Sequence, residues 1–191
     1  MTRSSGQFGA DGWLIGARRA PSPNADERPA GMTVDLVVIH AMSLPPEQYG
    51  TGDPERLFTN TLDFDAHPFF DELRALRVSA HFLIARDGVM TQFVSTDARA
   101  WHAGVSAFAG RTKCNDFSIG IELEGCDADS FTGVQYARLG ELIGAVRLRY
   151  PDVTSDRIVG HSDIAPGRKT DPGPHFDWGQ LRALIDGQHA H

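Results

Sequence analysis

Val34-Asp-Leu-Val-Val-Ile-His40 is the stretch that decides how this chain folds. It is a nearly unbroken apolar run rich in β-branched residues, without alternation of polar and apolar positions. Such a run predicts a central strand covered on both faces. It ends on an imidazole, and sites in open α/β sheets lie at strand ends.

Working outward, Val78 to Ala85 reads as a second strand. Asp87-Gly88 is a type I′ turn signal, so Val89 to Val94 is expected to return as the other half of a hairpin. Phe117 to Leu123 is a further strand that runs into Glu122-Leu-Glu124-Gly125. Helical patches are predicted from Pro54 to Asn60 and from Pro68 to Leu76, the latter with Phe69, Phe70, Leu73 and Leu76 on one face. Thr132-Gly-Val-Gln135 has the form of a capping box. The helix it opens carries Leu139, Leu142, Ile143 and Val146 on one face and is followed by Pro151. Asp177 is placed to cap a last helix with Trp178, Leu181, Leu184 and Ile185 inward. Strands alternating with helices predict a single α/β domain, a mixed central sheet flanked by helices. It is assigned to residues 34–187. Residues 1–33 form an N-terminal arm, packed on or frayed from the body and irregular through Pro21, Pro23 and Pro29, and 188–191 are a polar tail.

The net charge of −7 argues against a nucleic-acid or membrane-surface binder, because both need a basic face. Cys114 and Cys126 show no CxxC spacing and are expected as free thiols. No run reaches the length of a membrane span, and no basic region followed by an apolar one marks a leader. The expectation is a cytoplasmic monomer.

The chemistry gathers on Ile158-Val-Gly-His-Ser-Asp-Ile-Ala-Pro-Gly-Arg-Lys-Thr-Asp-Pro-Gly-Pro-His175. It starts as a short strand and becomes a loop stiffened by prolines, which pre-position its polar groups. The loop carries His161, Asp163, Lys169, Asp171 and His175. His161 and Asp171 with His40 from the neighbouring strand would make two histidines and a carboxylate, a donor set for catalytic zinc. No HExxH helix is present, and on spacing alone a solvated polar loop is the default reading. His67 before Pro68 and His81 inside the hairpin read as structural. Lys169 is either a surface lysine or a cation aimed at a developing oxyanion. Glu122 and Glu124 share a strand face, and either could serve as a general base. Ser162 and Cys114 lack the local sequence of an activated nucleophile.

Taken together, these segments resemble the zinc N-acetylmuramoyl-L-alanine amidases of the type-2 family, which includes peptidoglycan recognition proteins. The segments are Val-Ile-His40, Leu-Arg77-Val-Ser-Ala-His81, Ala-Trp101-His102-Ala-Gly, Cys114-Asn-Asp-Phe-Ser-Ile-Gly-Ile-Glu122-Leu-Glu-Gly and Gly-His161-Ser-Asp through Lys169-Thr-Asp171-Pro-Gly-Pro. The resemblance covers nearly the whole chain, from Gly12-Trp13-Leu14 to Phe176-Asp-Trp178. It implies zinc held by His40, His161 and Asp171, with Glu122 rather than Glu124 and Lys169 as catalytic groups. It also implies substrate contacts from Trp101 and His102, and stem-peptide carboxylates met by Arg77 and Lys113. Arg168 would add to the local positive charge. The implied substrate is an anhydro-muropeptide of cell-wall recycling, cut at the amide between the muramic lactyl group and L-alanine. The family also holds non-catalytic muropeptide-binding modules. Their lack of a metal ligand distinguishes them, and all three candidates are present here.

Overall fold

The computed structural model describes residues 6–187. The polar tail expected at 188–191, with His189 and His191, and residues 1–5 of the arm lie outside them. In chain order the strands are β1 (Arg18–Arg19), β2 (Ala25–Glu27), β3 (Leu36–Met42), β4 (Phe82–Ile84), β5 (Met90–Gln92), β6 (Ala98–Ala100), β7 (Ala107–Phe108), β8 (Arg111–Thr112), β9 (Ser118–Glu124) and β10 (Ile158–Gly160). The α-helices are α1 (Asp53–Phe58), α2 (Gly133–Arg149), the single turn α3 (His161–Ile164) and α4 (Trp178–Gly187).

Six strands make one mixed sheet in the order β1-β5-β4-β9-β3-β10. Strands β4, β9, β3 and β10 run parallel, while β5 returns antiparallel to β4 and carries β1 beside it. The apolar run thus becomes a central strand with both faces buried, as its composition predicts. Val37 and Ile39 join Ile119, Ile121, Leu123, Phe82 and Ile84 on the face covered by α2 and α4. Leu36 and Val38 pack on the opposite face with Cys114, Phe117 and Ile164. The strand does not stop at His40. It continues to Met42, because the register with β9 pairs His40 with Glu122 and Met42 with Glu124. His40 and Glu122 are therefore adjacent mid-strand residues, not strand ends.

The capping box forms as expected: the Thr132 hydroxyl accepts from the Gln135 N–H at 3.2 Å, and the Gln135 carboxamide oxygen accepts from the Thr132 N–H at 3.0 Å. The same carboxamide donates to the carbonyls of Ile84 and Glu124, fastening the start of α2 to the ends of β4 and β9. Gly140 and Gly144 inside α2 each cost roughly 1 kcal/mol relative to alanine. Leu139, Leu142, Ile143 and Val146, all buried, each return about 1.5–3 kcal/mol. Packing outweighs propensity here.

Three local expectations are corrected. The hairpin after β4 is not a type I′ turn. Gly88 has φ 84° while Asp87 keeps a negative φ, and a three-residue loop is closed by the Ala85 N–H donating to the Val89 carbonyl and the Gly88 N–H to the Ala85 carbonyl, each at 2.9 Å. That is a type I turn followed by a left-handed glycine. Pro68–Leu73 is a 3₁₀ helix rather than an α-helix through Leu76, its first turn held by His67, which accepts the Phe69 N–H. The arm is not irregular throughout. Its β1 joins the sheet edge, and β2 pairs antiparallel with β6 despite the nearby prolines. Both cysteines are free thiols.

The arm also sends Arg28 beneath the sheet face, where its guanidinium donates to the carbonyls of Thr96, Asn115, Asp116 and Ser118. Burial lowers its pKa to about 10, so it stays cationic at neutral pH.

Candidate active site

Residues of β9 alternate, so Ile119, Ile121 and Leu123 enter the helix-side core and Ser118, Gly120, Glu122 and Glu124 face the other way. On that second face His40 of β3 meets the loop that follows β10. The loop folds back on itself through a 3.0 Å bond from the Ser162 N–H to the Asp171 carbonyl. Asp163 shapes the bend, its carboxylate accepting the Gly160 N–H at 2.7 Å. His175 is exposed.

The result is a compact triangle. Nδ1 of His40 lies 3.0 Å from Nδ1 of His161, and Oδ2 of Asp171 lies 3.1 Å from the first and 3.0 Å from the second. His40 and His161 are buried. Nε2 of His161 faces the Ala103 carbonyl at 3.2 Å, an acceptor, so that nitrogen carries the proton and Nδ1 is bare. Nε2 of His40 faces Nδ1 of His102 at 2.9 Å. Two ring nitrogens and a carboxylate oxygen converging within 3.1 Å form a group that can hold a cation. Donors about 2.0 Å from a tetrahedral ion stand about 3.3 Å apart, close to what is found. The residues present fit a metal ion.

Electrostatics agree. Burial is the main force lowering the His40 pKa to about 4, with the neighbouring His161 and Lys169 adding to it against the pull of Asp171. Burial opposes ionisation of Asp171, but its contacts with the His161 and His40 rings hold its carboxyl well below the usual range. Glu122 is the opposite case. Burial pushes its carboxyl well above the usual range, the Asp171 charge pushes the same way, and Lys169 pulls back. Oε2 of Glu122 has no hydrogen-bond partner among the described residues. Glu124, on the same face, is committed: its two oxygens accept the Gly50 N–H at 2.5 Å and the Arg86 N–H at 3.1 Å. Of the two carboxylates, only Glu122 has an uncommitted oxygen.

The other sequence candidates are distributed as follows. Lys169 is exposed on the loop, close enough to act electrostatically on both Glu122 and His40. Arg77 is exposed and donates to the Arg74 and Leu76 carbonyls. Trp101 is half-buried, its indole N–H on Asp26 of β2. Lys113 is exposed with φ 59°. Arg168 braces the neighbouring loop by donating to the Ala103 and Val105 carbonyls at 2.7 Å. None of Arg77, Trp101 and Lys113 enters the hydrogen bonds of the triangle, whereas His102 does. Sequence reasoning passed over Arg28, Ser118 and Gly120. Only the glycine carried a signal, since an isolated glycine in an apolar strand marks a close approach.

His81 is buried beneath this layer. Its Nδ1 accepts the Gly120 N–H at 3.0 Å and its Nε2 faces the Ala98 carbonyl at 3.2 Å. Burial, then the charge of Arg28, holds its pKa well below the ordinary 6.5. Folding therefore favours the neutral ring. The stability this contributes is complete above pH 6.5 and is lost as pH falls, because only the unfolded chain takes up the proton. The slope for one such group is about 1.4 kcal/mol per pH unit. His81→Gln should flatten the fall of the unfolding free energy with pH below 6.5, by a slope that approaches that value. An unchanged slope would mean that His81 is protonated in the fold.

A mixed sheet bearing a buried His–His–Asp triangle, with a buried carboxyl and a lysine beside it, has the parts of a metal-assisted amide hydrolase. The chain belongs to the N-acetylmuramoyl-L-alanine amidase family, whose model matches residues 30–174. It is 55% identical over 174 residues to the 1,6-anhydro-N-acetylmuramyl-L-alanine amidase AmpD of Escherichia coli, covering 91% of this chain and 94% of that one. The fold matches the crystal structure of a selenomethionine AmpD derivative with a TM-score of 0.89 and 52% identity, over 92% of this chain and 97% of that chain. It also matches, with a TM-score of 0.57 and 31% identity over 95% of this chain and 66% of that chain, the E. coli amidase AmiD in complex with the substrate anhydro-N-acetylmuramic acid-L-Ala-D-gamma-Glu-L-Lys. No helix among the described residues is long and apolar enough to cross a membrane.

Proposed function

We propose that the chain is a zinc amidase of cell-wall recycling, cleaving the amide between the lactyl group of 1,6-anhydro-N-acetylmuramic acid and L-alanine in muropeptides. It would act as a cytoplasmic monomer. The observation that carries this reading is the His40–His161–Asp171 triangle in a member of this amidase family. The anhydro sugar is supported by the name of the 55% identical relative and by the substrate bound to the AmiD structure.

His40 and His161 would hold the zinc through Nδ1 and Asp171 through Oδ2, leaving a coordination position open. When bound, zinc lowers the pKa of a water to about 7 and polarises a carbonyl. Glu122 would take the proton of the attacking water and return it to the departing L-alanine nitrogen, a task that suits a carboxyl whose pKa burial raises above the usual range. Lys169 would face the tetrahedral oxyanion with its ammonium. Arg77 and Lys113 would meet the carboxylates of the stem peptide, and Trp101 would flank the substrate. The sum is hydrolysis: one water is consumed, and an anhydro-muramyl sugar and a free stem peptide are released.

Lys169→Ala should keep about one zinc per chain and lose roughly 10²–10³ in turnover. Metal analysis beside a turnover assay checks this. Loss of zinc together with activity would make Lys169 a structural residue. Soluble anhydro-muropeptide should be turned over much faster than insoluble cell wall. The reverse preference would place the enzyme outside the recycling role.

A further inference from the structure

His40 can hold a metal through Nδ1 only if its proton sits on Nε2, and the structure holds that proton in place. The Ser118 hydroxyl donates its single hydrogen to the Cys114 carbonyl at 2.6 Å. Towards Nε2 of His102, 3.1 Å away, that hydroxyl can therefore only accept. This puts the His102 proton on Nε2 and leaves its Nδ1 bare. Nδ1 of His102, 2.9 Å from Nε2 of His40, must then accept the His40 proton. Each bond sets the direction of the next, and the chain ends with a bare Nδ1 on His40 facing His161 and Asp171.

The surroundings of His102 are built to hold this ring. A Cβ at Gly120 would lie 2.4 Å from its Cγ, so this position in the buried strand admits no side chain while the ring is there. The Asn115 side-chain oxygen accepts the backbone N–H groups of His102 and Ala103 at 3.1 and 2.8 Å, fixing the loop that carries it. His81 packs edge-on against its other side, 5.9 Å between ring centres.

We propose that His102 is a positioning residue that, through Ser118 and Gly120, fixes the tautomer and orientation of His40 for metal binding and does not itself contact substrate. This replaces the substrate contact that the family resemblance implied for it. It rests on the reading that the triangle holds zinc.

Competition for zinc against a chromophoric chelator tests it directly. His102→Ala should weaken zinc affinity roughly 10- to 100-fold, the usual cost of losing a partner behind a metal ligand. At saturating zinc its KM for anhydro-muropeptide should stay at the parent value while kcat falls. His102→Asn, whose side-chain oxygen can still accept from His40, should recover most of the affinity. Gly120→Ala leaves His102 present but displaces its ring, and should reproduce the His102→Ala loss. Circular dichroism of the chelated proteins controls for folding. Unchanged zinc affinity in a folded His102→Ala protein with a raised KM would overturn the proposal in favour of substrate contact, as would failure of asparagine to rescue. If the parent protein itself binds no zinc, it is the metal reading that fails.

Discussion

Asp171→Ala is expected to strip the site of metal and to abolish hydrolysis in the same step. Asp171 is the only charged member of the triangle. Its Oδ2 stands 3.1 and 3.0 Å from the two ring nitrogens, and contact with the two rings holds its carboxyl well below the usual range. Without it two neutral imidazoles remain, short of the three ligands a catalytic zinc uses. Loss of a metal's share of transition-state stabilisation amounts to several kcal/mol, so turnover should fall by about a thousand-fold or more. Metal content after dialysis and activity should fall together. Turnover retained without bound metal would show that the triangle is not the catalytic centre.

The second large effect is expected from Glu122→Gln, and it should separate rate from metal. Glutamine keeps the shape of the side chain and removes its ability to take a proton. Glu122 lies outside the triangle, so zinc content should hold at the parent value while kcat falls roughly 10²–10⁴-fold, the range for loss of a positioned proton carrier. Glu124→Gln is the paired control. Its carboxylate is occupied with the backbone of two loops, so turnover should stay close to that of the parent. Equal loss from both changes would mean that the face as a whole, and not Glu122, sets the rate.

How far these results could be anticipated from sequence depends on the range of the forces involved. The Val34–Ile39 run, the Thr132/Gln135 cap and the last helix were legible because each depends on neighbours a few residues away. The triangle was partly legible. Its loop residues announce themselves, but nothing local joins them to His40, which is 121 residues from His161. The continuation of β3 past His40 escaped because it is set by pairing with β9, not by apolar content. Strand β2 escaped because its order comes from β6, about seventy residues on. The role of His102 is of the same kind. It reads as a loop residue until Ser118, 16 residues on, and Gly120 of the same strand are seen to form its seat.

The central claim is that this site cleaves an anhydro-muropeptide with the help of a metal. Mass spectrometry of a soluble 1,6-anhydro-muropeptide incubated with the protein, with and without a chelator, tests it most directly. The account predicts two new species, the anhydro-muramyl sugar and the free stem peptide, whose masses sum to the substrate plus one water. Both should vanish with chelator and return with added zinc. A substrate that binds but stays intact at saturating zinc, or that is cut equally well under chelation, would contradict it.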